Sequence, residues 1–116
     1  MLQRPCKANS GIQVFQAVKV PVIASGGIRT GIDIAKTLSL GAAMASIAHP
    51  FLVAAAQSPD AVYAKIQELK REIQTAIFLT GARNIRELRS KPLIITGRTR
   101  EWLEMRGIDT RAFARR

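Results

Sequence analysis

The sequence predicts an α/β fold: about two βα units of a parallel sheet, followed by a helical C-terminal extension. Two short runs, residues 20–24 and 42–48, carry no charge and are made of small and apolar residues, as strands inside a parallel sheet are. Each run leads directly into a helix-start signal. A long amphipathic helix follows the second, and no third convincing core strand appears.

Residues 1–9 carry Pro5 and mixed polar side chains and read as a lead-in. Ile12, Val14, Phe15 and Val18 give apolar character to a short helix over 10–19. The first strand, 20–24, ends at Gly26-Gly27, a pair that lets the backbone turn sharply. Thr30 then caps a helix over 30–40. Asp33 stands three positions on, where a carboxylate can answer the cap, and Ile34, Ala35 and Leu38 form its apolar face. Gly41 is placed to end that helix in a left-handed conformation.

The second strand, 42–48, sets small residues around Met44 and Ile47, and His49-Pro50 stops it. Pro50 suits the first turn of a short apolar helix over 51–57. Ser58-Pro59-Asp60 opens the longest helix, in which Val62, Ile66, Leu69, Ile73 and Ile77 fall on one stripe, and Gly81 ends it. Asn84-Ile85-Arg86-Glu87 has the form of a capping box for a brief helix through Leu88, closed by Pro92. An extended piece over 93–95 leads to a last helix capped by Thr99 and carrying Trp102, Leu103 and Met105, with Gly107 beyond it. The basic tail, 108–116, is expected to fray.

The 116 residues carry a formal charge of +10, which raises the possibility of a nucleic-acid partner. The excess lies mostly in the second half. There basic residues alternate with acids, as in Lys65, Glu68, Lys70, Arg71 and Glu72, which is the pattern of a solvated helix face. Aromatic residues are few and are not interleaved with the basic ones as a base-stacking surface requires, so no nucleic-acid partner is expected. Residues 37–59 contain no Asp, Glu, Lys or Arg, a length near that of a membrane span. Gly41, His49 and Pro50 divide that run into two buried pieces, so no membrane partner is expected either. A single cysteine, Cys6, and the lack of a cleavable signal pattern point to the cytoplasm.

The chemistry concentrates at the two strand-to-helix turns. Amides of a glycine turn and of a helix start present positive ends, and Arg29 adds a planar cation able to grip phosphate oxygens in pairs. The turn is no nucleotide fingerprint, because the P-loop lysine and the dinucleotide glycine spacing are both absent. Two adjacent βα units sharing one phosphate, the second opening into a short extra helix, is the arrangement at the last two strands of a TIM barrel. Such a barrel has eight strands and roughly 250 residues. The expected fold is therefore an incomplete (β/α)8 barrel, its strands 7 and 8 over 10–83, with a helical extension over 84–107 and two unpaired outer strand edges.

Val22-Ile23-Ala24-Ser25-Gly26-Gly27-Ile28-Arg29-Thr30-Gly31, continuing through Asp33-Ile34-Ala35-Lys36 and Leu40-Gly41-Ala42 to Ala48-His49-Pro50-Phe51-Leu52, resembles the C-terminal part of type 2 isopentenyl-diphosphate isomerase. Phe78-Leu79-Thr80-Gly81-Ala82-Arg83 and Thr99-Arg100-Glu101-Trp102-Leu103 resemble the end of the same family. The resemblance implies an FMN-dependent barrel enzyme that interconverts isopentenyl and dimethylallyl diphosphates. Reduced flavin, generated with NADPH, would act as acid and base, with Mg2+ on the diphosphate. It further implies that Gly26, Gly27 and Arg29 line the FMN phosphate and that the backbone of Ala48 and His49 closes over it. The chain departs from the family at Ala43, commonly acidic, at Ser46, commonly glycine, and at His49, often arginine. Flavin-ring, metal and diphosphate residues belong to earlier strands of that family, so no catalytic or metal residue is assigned here. A related FMN oxidoreductase and a basic binding module for RNA or acidic partners are the alternatives. Oligomerisation, and pairing with the preceding part of a barrel, are expected by the same resemblance.

Overall fold

The computed structural model describes residues 7–116, with side chains from Gly11 onward. The order is α1 (Lys7–Ala17), β1 (Ile23–Ala24), α2 (Gly31–Leu40), β2 (Met44–Ala45), α3 (His49–Ala55), α4 (Pro59–Leu79), α5 (Ile85–Ser90), α6 (Gly97–Met105) and α7 (Arg111–Ala114). The lead-in expected over 1–9 lies outside the described residues as far as residue 6, and 7–9 already belong to α1. That helix also stops short of Lys19. Val18 and Val20 are β-branched and residue 20 precedes Pro21, both of which favour extended backbone.

β1 and β2 pair in parallel, Ile23 opposite Met44 and Ala24 opposite Ala45. The Ala43 amide donates to Val22 O at 2.9 Å and the Ser46 amide to Ala24 O at 2.8 Å, extending the ladder by one residue on each side. The expected strands over 20–24 and 42–48 are thus correct in place and direction but too long. Expected burial on both faces is also corrected: Val22, Ala24, Ala43 and Ala45 are half-buried, whereas Ile23 and Met44 are 60% and 61% exposed. A two-stranded sheet covered by helices on one side leaves its other face open.

α2 forms as expected. Thr30 Oγ1 accepts from the Asp33 amide at 3.1 Å, the Asp33 carboxylate accepts from the Thr30 amide at 3.2 Å, and Gly41 (φ 123°) ends the helix. α2 lies against α4 so closely that a Cβ on Gly31 would stand 2.5 Å from Glu72 Cβ and 2.7 Å from Leu69 O. Only glycine permits that approach. α4 starts at the Ser58 cap, whose hydroxyl accepts from the Ala61 amide at 3.1 Å, and ends before Gly81 (φ 65°). Asn84 caps α5 by accepting from the Glu87 amide, but the returning Glu87 carboxylate accepts from the Arg83 amide one residue early, so the expected box closes on its neighbour. α6 begins at Gly97 with Thr96 at the cap position and no side-chain cap bond, so Thr99 lies inside the helix it was expected to cap. Residues 37–59 divide among α2, β2, α3 and the start of α4, and no helix among the described residues is long and apolar enough to cross a membrane.

The tail is the clearest correction. Expected to fray, it folds as α7 and inserts Phe113, 5% exposed, into a core with Ile12 of α1 and Leu103 of α6. The Leu93 amide donates to Phe113 O at 2.9 Å, and Arg116 Nη1 donates to Ser39 O at 2.6 Å and Arg89 O at 3.0 Å. A guanidinium on the last carbonyls of α2 also meets the negative end of that helix dipole. A second small core joins Ala35 of α2 with Ala82 and Leu88. Phe113→Ala is expected to cost about 3 kcal/mol in urea unfolding, whereas Phe78→Ala, at a position 80% exposed, should change stability by no more than about 0.5 kcal/mol. Equal effects would contradict a packed tail.

Candidate functional site

Because β1 and β2 run parallel, the turns that leave them emerge at the same end of the sheet. The first turn spans 25–30. Gly26 (φ 92°) and Gly27 (φ 75°) both occupy the left-handed region, where a side chain would be strained, and both are exposed. The amides of Gly26, Gly27 and Ile28 donate to nothing among the described residues. Together with Ser25 they form one wall of a cavity of about 390 Å³, whose other walls include Phe15 of α1 and Asp33, Lys36 and Thr37 of α2.

The start of α2 is not available to an anion. The Arg29 and Thr30 amides both donate to Asp33 Oδ2 at 3.2 Å, and the Gly31 amide donates to Glu72 Oε2 from α4. Two carboxylates therefore occupy the amides that, in the sequence, were expected to join the glycine turn in one cradle. What remains open is the glycine turn itself. Burial works against the charge on Asp33, but the Arg29 amide, the Thr30 hydroxyl and amide and the Lys36 charge outweigh it and hold its carboxyl below the ordinary range.

The five candidate residues divide accordingly. Gly26 and Gly27 line the cavity, while Arg29, Ala48 and His49 do not. Arg29 is exposed, and its backbone amide is taken by Asp33. Ala48 and His49 stand where the second turn enters α3, both exposed, with Pro50 in the first turn. The amides of His49 and Phe51 have no acceptor among the described residues. Lys36 and Ile28 were not singled out in the sequence. Lys36 lies three positions after Asp33, one helical turn on, and could have been placed on the cavity side by that spacing. Glu72, 41 residues from its partner, gave no such signal.

The sequence matches the FMN-dependent dehydrogenase family over residues 7–95, and the chain belongs to that family. Within it the chain is similar to proteins named isopentenyl-diphosphate delta-isomerase: 48% identical over 109 residues to that of Methanothermobacter thermautotrophicus, covering 94% of this chain and 31% of the relative. The enzymes of Methanothrix thermoacetophila, 50% identical over 93 residues (80% of this chain, 26% of the relative), and Thermococcus kodakarensis, 46% over 109 residues (93% and 29%), carry the same name. The chain spans less than a third of the length of each.

Asp33→Ala is expected to cost about 1 kcal/mol at neutral pH, the usual size of a cap contribution. The contribution of a carboxyl with a lowered pKa is complete above its unfolded value and is lost as pH falls through the folded one. Urea unfolding of both proteins should therefore show the gap closing only below about pH 4. A gap that stays constant in acid would assign the loss to helix propensity alone.

Proposed function

We propose that this chain is the phosphate-holding portion of a flavin-dependent isomerase that interconverts isopentenyl and dimethylallyl diphosphates. The observation that carries the reading is the set of three open amides at Gly26, Gly27 and Ile28, set on a cavity beside Lys36. Three open donors on one cavity can serve the terminal oxygens of a phosphate monoester, and Lys36 of the same lining adds a positive charge. The family match supports FMN as the owner of that phosphate, and the names of the relatives support the isomerase over another FMN-dependent oxidoreductase.

In this reading β1 and β2 are strands 7 and 8 of a (β/α)8 barrel, whose phosphate sites gather at the turns after those strands. Gly26 and Gly27 bring backbone against the phosphate, Arg29 supplies an exposed cation from the same turn, and Ala48 and His49 offer the second turn's backbone from the neighbouring strand. The bound reduced flavin supplies acid and base for the allylic proton shift. This chain's part is to anchor the flavin by its tail and keep it in register with the sheet. No residue of the chain is assigned to NADPH or to Mg2+.

The basic-module alternative is less favoured by the structure. Arg83 and Arg100 pair with Glu87 and Glu104, each at 2.7 Å. Arg106 lies 4.8 Å over Trp102, and Arg89 and Arg116 bind backbone carbonyls. Five of the 18 basic side chains are thus engaged within the fold.

The test compares FMN with riboflavin, which lacks the phosphate, by flavin fluorescence. FMN should bind more tightly, inorganic phosphate should compete, and Gly27→Ala should weaken FMN by roughly tenfold, the equivalent of one lost charge-assisted contact. Equal affinity for riboflavin, or an unaffected Gly27→Ala variant, would contradict the reading.

A further inference from the structure

Between α2 and α4, bordered by α5 and Leu93, lies a second cavity that the phosphate site does not use. Its volume is about 480 Å³, within the roughly 300–1,000 Å³ of small-molecule sites. Ala35 and Leu88 in its lining are buried, whereas Ile32 and Leu79 are exposed, Leu79 by 76%. Exposed apolar side chains around a buried apolar floor have the form of a groove that awaits a ligand, not of a closed core.

The polar side chains of the lining divide into two sets. Ser39 Oγ donates to Ala35 O at 2.9 Å, Thr75 Oγ1 to Arg71 O at 2.8 Å and Thr80 Oγ1 to Ala76 O at 3.0 Å, so each hydroxyl proton is spent on its own helix. The Glu72 carboxylate accepts from the Gly31 amide. Lys36 and Arg71 remain. Both are exposed, they come from two different helices, and neither forms an ion pair among the described residues. The groove thus offers apolar surface and two cations against one carboxylate that is already engaged. A ligand that satisfies both parts has a hydrocarbon chain and an anionic head. A phosphate suits the head, because a guanidinium grips its oxygens in pairs while an ammonium meets its remaining charge.

We propose that this groove binds an amphiphilic phosphate ester, its hydrocarbon chain against Ala35, Ala76, Leu79 and Leu88 and its headgroup between Lys36 and Arg71. A branched prenyl chain and a straight alkyl chain both meet that description. All the lining residues lie between 32 and 93, so the site is built entirely from α2, α4, α5 and the segment that follows. Lys36 borders the glycine-turn cavity as well, whereas Arg71 and Leu79 belong to the groove alone. The proposal does not rest on the flavin reading, and its binding is measured with no flavin present.

The experiment titrates the full chain by calorimetry with geranyl diphosphate and with decyl phosphate, using decanol and inorganic diphosphate as controls. Each titration is repeated in Gly27→Ala, which disables the glycine turn as a competing anion site. At least one of the two esters should bind at one to one in both proteins, roughly tenfold more tightly than either control, and the tighter ester identifies the chain. Arg71→Gln, which removes a headgroup cation, and Leu79→Asp, which sets a charge on the apolar wall, should each weaken that ester by roughly tenfold. Circular dichroism of both variants should match that of the parent, because both positions are exposed. Failure of both esters to bind, or equal binding of decanol or inorganic diphosphate in Gly27→Ala, would overturn the proposal. So would unchanged affinity in Arg71→Gln and Leu79→Asp, and so would loss of ester binding in Gly27→Ala, which would put the headgroup at the glycine turn instead.

Discussion

Two register pairs of parallel strand, Ile23 with Met44 and Ala24 with Ala45, determine where the two strand-to-helix turns of this chain lie. Parallel pairing forces a helical crossover, and α2 supplies it. It also sends both strand-to-helix turns out of one end of the sheet, which no antiparallel pairing of the same segments would do. So short a ladder cannot hold itself in place. α2 holds it from one side, fixed to α4 through the Gly31 approach and the Glu72 carboxylate on the Gly31 amide, while Arg89 grips the entry to β2.

The backbone donors of the first turn are divided. At the start of α2, where a helix dipole would ordinarily attract any anion, the protein's own Asp33 and Glu72 are already present. A phosphate placed there would meet two like charges. Just upstream, the glycine turn carries amides with no acceptor among the described residues, and Lys36 lines the same cavity. Asp33 also lines the cavity of the glycine turn, so an anion held there would face that carboxylate as well as Lys36.

What could be read from the sequence was local. The Thr30 and Asp33 box, the glycine end of α2 at Gly41, Pro50 in the first turn of α3 and the Ser58 cap of α4 all act within four residues, and each is found where its signal stands. Gly26 and Gly27 were legible as a sharp turn for the same reason, and their place on a cavity followed from the βα order. Long-range partners were not legible. Nothing near Gly31 announces Glu72, and nothing in a basic tail announces that Phe113 closes a core with Ile12, about a hundred residues earlier. The tail was misjudged because charge dominates its composition while a single aromatic residue decides its packing. The strands were drawn too long because composition reports what a residue tolerates, whereas pairing requires a neighbour, and only two residues of each have one.

The central claim is that the open amides of the glycine turn receive a phosphate, and amide chemical shifts test it residue by residue. In an NMR titration of the full chain with FMN, the Gly26, Gly27 and Ile28 amide signals should move first and furthest, with riboflavin leaving them in place. Movement confined to α2 or to the basic helices of the C-terminal half, with the glycine-turn signals unchanged, would contradict the account.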